Sequence, residues 1–200
     1  GTCIPYEITA TDIDAESINH AKNGVYLLSE VDTIPREYLS AYWRKGTGEI
    51  KDYAAVKPEL RQKIKFSTAN LLEPSTWPNS KDFDMIFCRN VFIYFTEDNV
   101  QKIAKNLASR LDPQGLFVSG MSEPLRFPEW DMDSAGPSCY RKPSARAAKT
   151  ATAAVTAAAA AASTPLRAVP EVAAKSEFYR VLCVDDSSTI QLLMKKIFKN

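Results

Sequence analysis

The stretch FDMIFCRNVFIYF, Phe83 to Phe95, is an apolar run broken in its middle by Arg89 and Asn90. Both side chains are costly to bury without partners. Phe83 to Cys88 has the length and apolar character of a core strand, so the polar pair marks where that strand leaves the core. Two readings of this exit compete: the strand ends in water, or it ends at the mouth of a binding crevice where the pair works on a ligand. Val91, Phe92, Ile93, Tyr94 and Phe95 resume the apolar pattern at once, which favours the crevice.

Working outward, Glu7 to Thr11 reads as a short strand leading to Asp12 and Asp14. Asp14 is placed to cap a helix from Ala15 to about Lys22, which Asn23 and Gly24 stop in a left-handed turn. Pro35 opens a second short helix that carries Tyr38, Leu39 and Tyr42 toward the core. From Trp43 to Phe66 the pattern is irregular, with Gly46, Gly48 and Pro58, and predicts small antiparallel strands. Lys63 to Ala69 is a further core strand. Beyond the opening stretch, Thr96 caps a helix in which Val100, Ile103, Ala104, Leu107 and Leu111 recur at helical spacing. The turn Asp112 to Gly115 ends it, and Leu116 to Gly120 is again a strand. Strands separated by helices imply an α/β fold with a mostly parallel sheet, in which ligands sit beyond the carboxyl ends of the strands.

The polar residues after each strand then become candidates for one site. Asp12 follows the first strand, where an acidic side chain of a nucleotide-binding fold accepts ribose hydroxyls; the alternative is that Asp12 and Asp14 merely cap a helix. Asn70, Leu71 and Leu72 follow the next, an amide beside apolar groups that suits the edge and face of an adenine, or an ordinary turn. Arg89 and Asn90 follow the third.

Bulk properties exclude other classes. Apolar residues at 45%, charged residues at 24% and a formal net charge of +1 describe a soluble globular chain of one or two domains with no electrostatic footprint for nucleic acid. Cys3, Cys88, Cys139 and Cys183 are scattered and His20 is the single histidine, so neither a zinc site nor a disulfide framework is indicated. No apolar span approaches the roughly 20 residues that cross a bilayer, so no membrane insertion is expected. A reducing, cytoplasmic setting is the expectation.

With three strand ends in register, ATDIDAESINHAKNGVY, LSEVDTIPREYLSAYWRKGTG, FSTANLLE, FDMIFCRNVFIYF and RLDPQGLFVSGMSE together resemble the chemotaxis receptor methyltransferases of the CheR family, over almost all of residues 6 to 142. The resemblance implies a class I (Rossmann-like) S-adenosylmethionine methyltransferase fold, incomplete at its amino end, which esterifies glutamate side chains on the cytoplasmic domains of chemoreceptors and releases S-adenosylhomocysteine. It implies that Asp12 holds the ribose, that Asn70 and Leu71 lie against the adenosyl group, that Arg89 and Asn90 line the pocket near the methionine part, and that Tyr94 faces the methyl-transfer centre. Residues 28–64 correspond to the family's small β-subdomain, where Arg44, Lys45 and Lys57 offer charge to a receptor tail. The family's first strand, its acidic loop and a helical domain would lie upstream of Gly1.

Composition changes after Lys142. Residues 143–177 are rich in Ala, with an unbroken run from Ala157 to Ala162, and read as a linker. Residues 178–200 then resemble the opening of a response-regulator receiver domain: a strand from Tyr179 to Val184, the acidic pair Asp185 and Asp186, and a helix with Ile190, Leu193, Met194 and Ile197 on one face. That resemblance implies Mg²⁺ held by Asp185 and Asp186 and a histidine kinase acting on the complete domain. The organisation expected is a methyltransferase part at 1–142, the linker and a truncated receiver. Both ends of the chain look cut from a longer polypeptide. The rivals are a non-catalytic docking module that keeps a remnant fold, an amino-group methyltransferase, which lacks support because no prolines follow Asn90, and a nicotinamide dehydrogenase, which needs a glycine-rich turn not found here.

Overall fold

Interior strands of a parallel sheet are covered on both faces and read as nearly continuous apolar runs, and this chain folds around strands of that kind. The computed structural model describes residues 5–80, 82–143 and 178–185. Nearly all of the expected linker, and the expected helix after Asp186, lie outside the described residues.

In chain order, β1 (Tyr6–Asp12) leads to α1 (Ala15–Asn23). A small subdomain follows, made of β2 (Val25–Leu27), α2 (Leu28–Val31), α3 (Arg36–Tyr42), β3 (Trp43–Lys45), β4 (Tyr53–Val56) and α4 (Pro58–Arg61). Then come β5 (Ile64–Thr68), β6 (Phe83–Arg89), α5 (Glu97–Ser109) and β7 (Leu111–Ser119). A hairpin, β8 (Asp133–Gly136) and β9 (Cys139–Arg141), and finally β10 (Tyr179–Asp185) complete the described elements. The large sheet has the order β5-β1-β10-β6-β7-β9-β8, parallel from β5 to β7 and antiparallel in its last two strands. The small sheet is antiparallel with order β2-β4-β3. The mixed α/β architecture and the small antiparallel subdomain match the expectation from sequence.

Side chains alternate between the two faces of the large sheet, as the period of a strand requires. Ile86 and Cys88 of β6, Leu182 and Val184 of β10, and Phe117 of β7 pack on one face with Ile103, Ala104 and Leu107 of α5. Phe87, Val181, Cys183 and Val118 pack on the other with Tyr6, Ile8 and Leu60. A third cluster, Val31, Ile34 and Ala54, is the separate core of the small subdomain, with Tyr38 and Leu39 against it.

Local signals act largely as read. The Asp14 carboxylate accepts from the backbone N–H groups of Glu16 (3.1 Å) and Ser17 (2.8 Å), and Gly24 ends α1 at φ 62°. A side chain at Gly24 would also meet Arg61, whose Cδ lies 2.9 Å from the position of a Cβ. Thr96 does occupy the position before α5, yet its hydroxyl makes no capping bond. The turn Asp112 to Gly115 does not separate helix from strand: β7 begins at Leu111, and its register against β6 slips between Phe83 and Met85. Pro113 has no N–H for a ladder and Gln114 N–H closes instead on Asp112 Oδ1 at 2.7 Å, so the turn becomes an irregularity inside the strand.

The largest departure concerns β10. The sequence alone assigns Tyr179 to Asp185 to the start of a separate domain at 178–200, but in the structure this strand lies within the large sheet. It runs parallel to β1, with Tyr6 opposite Tyr179 through Thr11 opposite Val184, and parallel to β6, with Val181 opposite Met85 through Asp185 opposite Arg89. Its residues alternate correctly for a site walled on both faces, and both backbone edges are paired. Burying Val181, Leu182 and Val184 stabilises the sheet by ~5–9 kcal/mol, an upper figure because the unfolded chain already hides some apolar surface.

Candidate functional site at the carboxyl edge

From β1 the chain proceeds to β5 on one side, then returns to lay β6 and β7 on the other. The reversal makes a topological switch point between β1 and β6, and crevices in open α/β sheets form there, beyond the carboxyl ends. Asp12 ends β1 and Arg89 ends β6. With β10 between them, their backbones are two strand spacings apart, about 10 Å.

Each neighbouring loop is fixed by its own polar bonds. Asp12 Oδ1 accepts the N–H of Asp14 at 2.8 Å, turning the chain into α1. The pairing of β5 with β1 extends to Ala69 N–H, which donates to Asp12 O at 2.8 Å, so Asn70 leaves the sheet beside Asp12. The Asn70 side chain closes its own turn: Oδ1 accepts Leu72 N–H (3.0 Å) and Nδ2 donates to Glu73 (3.0 Å). Trp77 Nε1 donates to Asn70 O at 2.7 Å, and the Arg110 guanidinium lies 5.0 Å from the Trp77 ring centroid. Leu71 is buried beneath, while Leu72 is exposed.

On the β6 side, Asn90 takes a left-handed conformation, φ 57°, which Asn tolerates better than most side chains. Phe92–Tyr94 form a short 3₁₀ turn, with Phe92 buried and Ile93 and Tyr94 exposed. The opening question is thereby answered. The apolar run after Arg89 is a loop pinned by one ring and does not continue the strand.

Glu123 does the pinning, and sequence reasoning did not single it out. Its side chain is buried, and its carboxylate accepts three backbone N–H groups: Asn90 (2.8 Å) and Gly120 (3.0 Å) on Oε2, and Ile93 (3.1 Å) on Oε1. Among the described residues no Lys or Arg pairs with it. Ser119 Oγ donates to Glu123 O at 2.9 Å and Ser138 Oγ to Gly120 O at 2.9 Å, tying the clamp to the β8–β9 hairpin. A Cβ at Gly120 would lie 2.2 Å from Glu123 Oε2, so a side chain there would displace the carboxylate from its place. The signal available was the GMSE segment itself, but a carboxylate that binds backbone leaves no spacing rule to recognise.

Large apolar side chains gather on the same edge. Ile13, Leu72, Ile93, Tyr94 and Met121 stand 67%, 48%, 61%, 69% and 73% exposed, in the loops after β1, β5, β6 and β7. An apolar rim around convergent polar groups is the usual character of a small-molecule site. No cluster of three or more metal-ligating side chains occurs among the described residues. Asp185 comes to the switch point beside Arg89 by register, and Asp186 lies outside the described residues. His20, expected on the surface, is exposed and its ring stands edge-on to Tyr26 at 4.9 Å.

In the small subdomain, Arg44 and Lys45 are exposed on the edge strand β3. Lys57 is committed otherwise: its ammonium donates to Ser40 O (3.2 Å) and Ala41 O (2.7 Å), capping the carboxyl end of α3.

A mostly parallel central sheet with a small antiparallel sheet beside it defines a mixed α/β protein of the class I methyltransferase fold. The particular family follows from comparison: the CheR methyltransferase, SAM binding domain matches residues 2–136, and the chain belongs to that family. It is 38% identical over 118 residues to the chemotaxis protein methyltransferase of Salmonella typhimurium, covering 59% of this chain and 41% of that protein. To chemotaxis protein methyltransferase 2 of Pseudomonas aeruginosa it is 35% identical over 136 residues, covering 68% and 48%. To the chemotaxis protein methyltransferase of Borreliella burgdorferi it is 32% identical over 136 residues, covering 68% and 46%. The chain thus spans less than half the length of these curated relatives.

Proposed function

We propose that the chain carries the S-adenosylmethionine-binding part of an enzyme that forms methyl esters on glutamate side chains of chemoreceptor cytoplasmic domains. The observation that carries this reading is the meeting of Asp12, Asn70 with Leu71, and Arg89 with Asn90 at one sheet edge, across a span of about 10 Å that suits an adenosyl group. The residues present fit the group: a carboxylate for ribose hydroxyls, buried Leu71 for the adenine face, and a guanidinium for the methionine carboxylate.

S-adenosylmethionine supplies an electrophilic methyl on a sulfonium. The chain's own task is to hold and orient. A substrate glutamate, with an ordinary pKa near 4.3, is already a carboxylate at neutral pH, so no general base is needed. With the cofactor bound, the loops at this edge would hold that carboxylate oxygen in line with the methyl group the cofactor would supply. Positioning alone can lower such a barrier by roughly 7–11 kcal/mol. Tyr94, exposed on the rim, is the side chain we assign to the approach of the glutamate, and the Glu123 clamp fixes the loop that carries it.

Calorimetric titration with S-adenosylhomocysteine tests the proposal. We expect binding by this chain and its loss in Asp12→Ala; no binding by the unaltered chain sinks it. One observation favours a second reading, a docking module without catalysis: the Asn70 amide is spent on its own turn. A module of that kind would bind a receptor cytoplasmic domain yet fail the same titration. A cytoplasmic location follows from the proposed substrate. The receiver reading of residues 178–200, with Mg²⁺ at Asp185 and Asp186 and a histidine kinase as partner, is supported by the apolar strand ending in two acids. Against it stands the place of that strand in this sheet, which we favour.

A further inference from the structure

Every polar group of Asn70 is engaged within its own turn. Its side chain bonds Leu72 and Glu73, its N–H donates to Thr76 Oγ1 (2.9 Å), and its carbonyl accepts from Trp77 Nε1 (2.7 Å) and from Glu73 N–H (3.0 Å). The N–H groups of Asn70, Leu72 and Glu73 are thereby spent, whereas Leu71 N–H has no acceptor among the described residues. Leu71 is only 8% exposed, and an N–H in so covered a residue calls for an acceptor.

We infer that Trp77 is a positioning residue for base recognition: by holding the Asn70 carbonyl it orients Leu71 N–H toward the ring-nitrogen acceptor of an adenine. The inference rests on the assignment of Asn70 and Leu71 to the adenosyl group.

The link is the peptide unit itself. Asn70 C=O and Leu71 N–H belong to one planar group, trans like every peptide bond described, and so point in opposite directions. The indole is buried in the core cluster with Ala69, Phe83 and Leu107. Its grip draws the oxygen toward that core and turns the N–H away from it. Trp77 is held in its turn: the Arg110 guanidinium lies 5.0 Å from its ring centroid and donates to Pro78 O and to Ser80 O (3.3 Å), while Arg110 O accepts Phe83 N–H (3.0 Å). Guanidinium, indole and peptide form one chain of contacts from the end of α5 to the turn after β5. Adenine presents an unprotonated N1, which accepts a hydrogen bond, whereas hypoxanthine carries a proton there and donates. A fixed N–H favours the first base and opposes the second.

The test compares S-adenosylhomocysteine with S-inosylhomocysteine, which differ only in the base, by calorimetric titration of the full chain and of Trp77→Phe. Phe keeps a ring in the core and removes the donor; Asn70 O retains Glu73 N–H, so the melting temperature should change little. We expect affinity for the adenosyl ligand to fall about three- to tenfold, the loss of one neutral hydrogen bond, and affinity for the inosyl ligand to change by less than about twofold. A merely supporting role would weaken both ligands alike. Benzothienylalanine in place of Trp77, with sulfur for the N–H in the same outline, gives the same result if Trp77→Phe does not fold. Amide hydrogen exchange without ligand is the second measurement: Leu72 and Glu73 should exchange faster in the variant, while Ile103 and Leu107 of α5 keep their rates. Unchanged exchange at Leu72 and Glu73, or an unmoved ratio of the two affinities, overturns this inference alone. Binding of neither ligand by the unaltered chain overturns the adenosyl assignment and this inference with it.

Discussion

Glu123 offers the sharpest test of how the crevice is built. Its carboxylate is the common acceptor for N–H groups from two loops, the one after β6 and the one after β7. Hydrogen bonds to a charged partner contribute ~1.5–3 kcal/mol each, and a buried donor left without an acceptor loses about 1–3 kcal/mol. Glu123→Gln keeps one acceptor oxygen, which can serve Asn90 and Gly120 at neutral strength, but turns an NH₂ toward Ile93 N–H. We expect that exchange to destabilise by about 2–4 kcal/mol. Glu123→Ala removes all three acceptors, and we expect roughly 3–6 kcal/mol, with water admitted to the cavity easing the upper figure. Urea unfolding measures both, and an unchanged slope would locate the effect in the native state. The order Ala worse than Gln, and both far below the native chain, is what the clamp requires. If Glu123→Ala unfolds within about 0.5 kcal/mol of the unaltered chain, the range of an ordinary surface change, the three bonds do not hold the loop as described.

Gly120→Ala places a methyl where Glu123 Oε2 now sits; we expect a loss of about 1–3 kcal/mol on urea unfolding, and little further loss when it is combined with Glu123→Ala. The Ser17 hydroxyl, with the N–H groups of Ser17 and Glu16, holds the Asp14 carboxyl below its ordinary value. A depressed folded pKa contributes stability that is present above the unfolded value near 3.9 and lost as pH falls through the folded value, so Asp14→Ala should flatten the acid limb of a stability-versus-pH curve below about pH 4. Burial, and secondarily the charge of Glu30, pushes the Tyr26 hydroxyl up. Its contribution is present below about pH 10 and lost as pH rises through the folded value, so Tyr26→Phe should flatten the alkaline limb of the same curve.

What sequence conveys here is the part written in local chemistry. Asp14 before an amphipathic turn and Gly24 after it bracket α1 because the capping bonds span four residues or fewer. The apolar periods of β6 and α5 reveal themselves because both elements bury faces against one core. The three strand ends converge because parallel topology leaves them little choice. Long-range pairing is what stays hidden. Nothing in YRVLCVD distinguishes a strand that opens its own sheet from one that closes another, since both are apolar runs ending in acids. The hairpin Asp133 to Arg141 escaped notice because its strands are short, with Gly136 ending one and Pro137 in the turn between them. At the site, Asn70 and Asn90 were legible as residues but not as conformations: one closes its own turn, and the other depends on a carboxylate 33 positions away.

The lateness of the middle strand has a bearing on biosynthesis. Once Arg89 has been added, every residue of β1, β5 and β6 has been made, yet Asp185 follows 96 residues later, which at 5–20 residues per second takes roughly 5–20 s. During that interval the ladders that β10 makes with β1 and with β6 cannot form. The sheet described here therefore takes its full set of strands only once translation has passed the alanine-rich stretch.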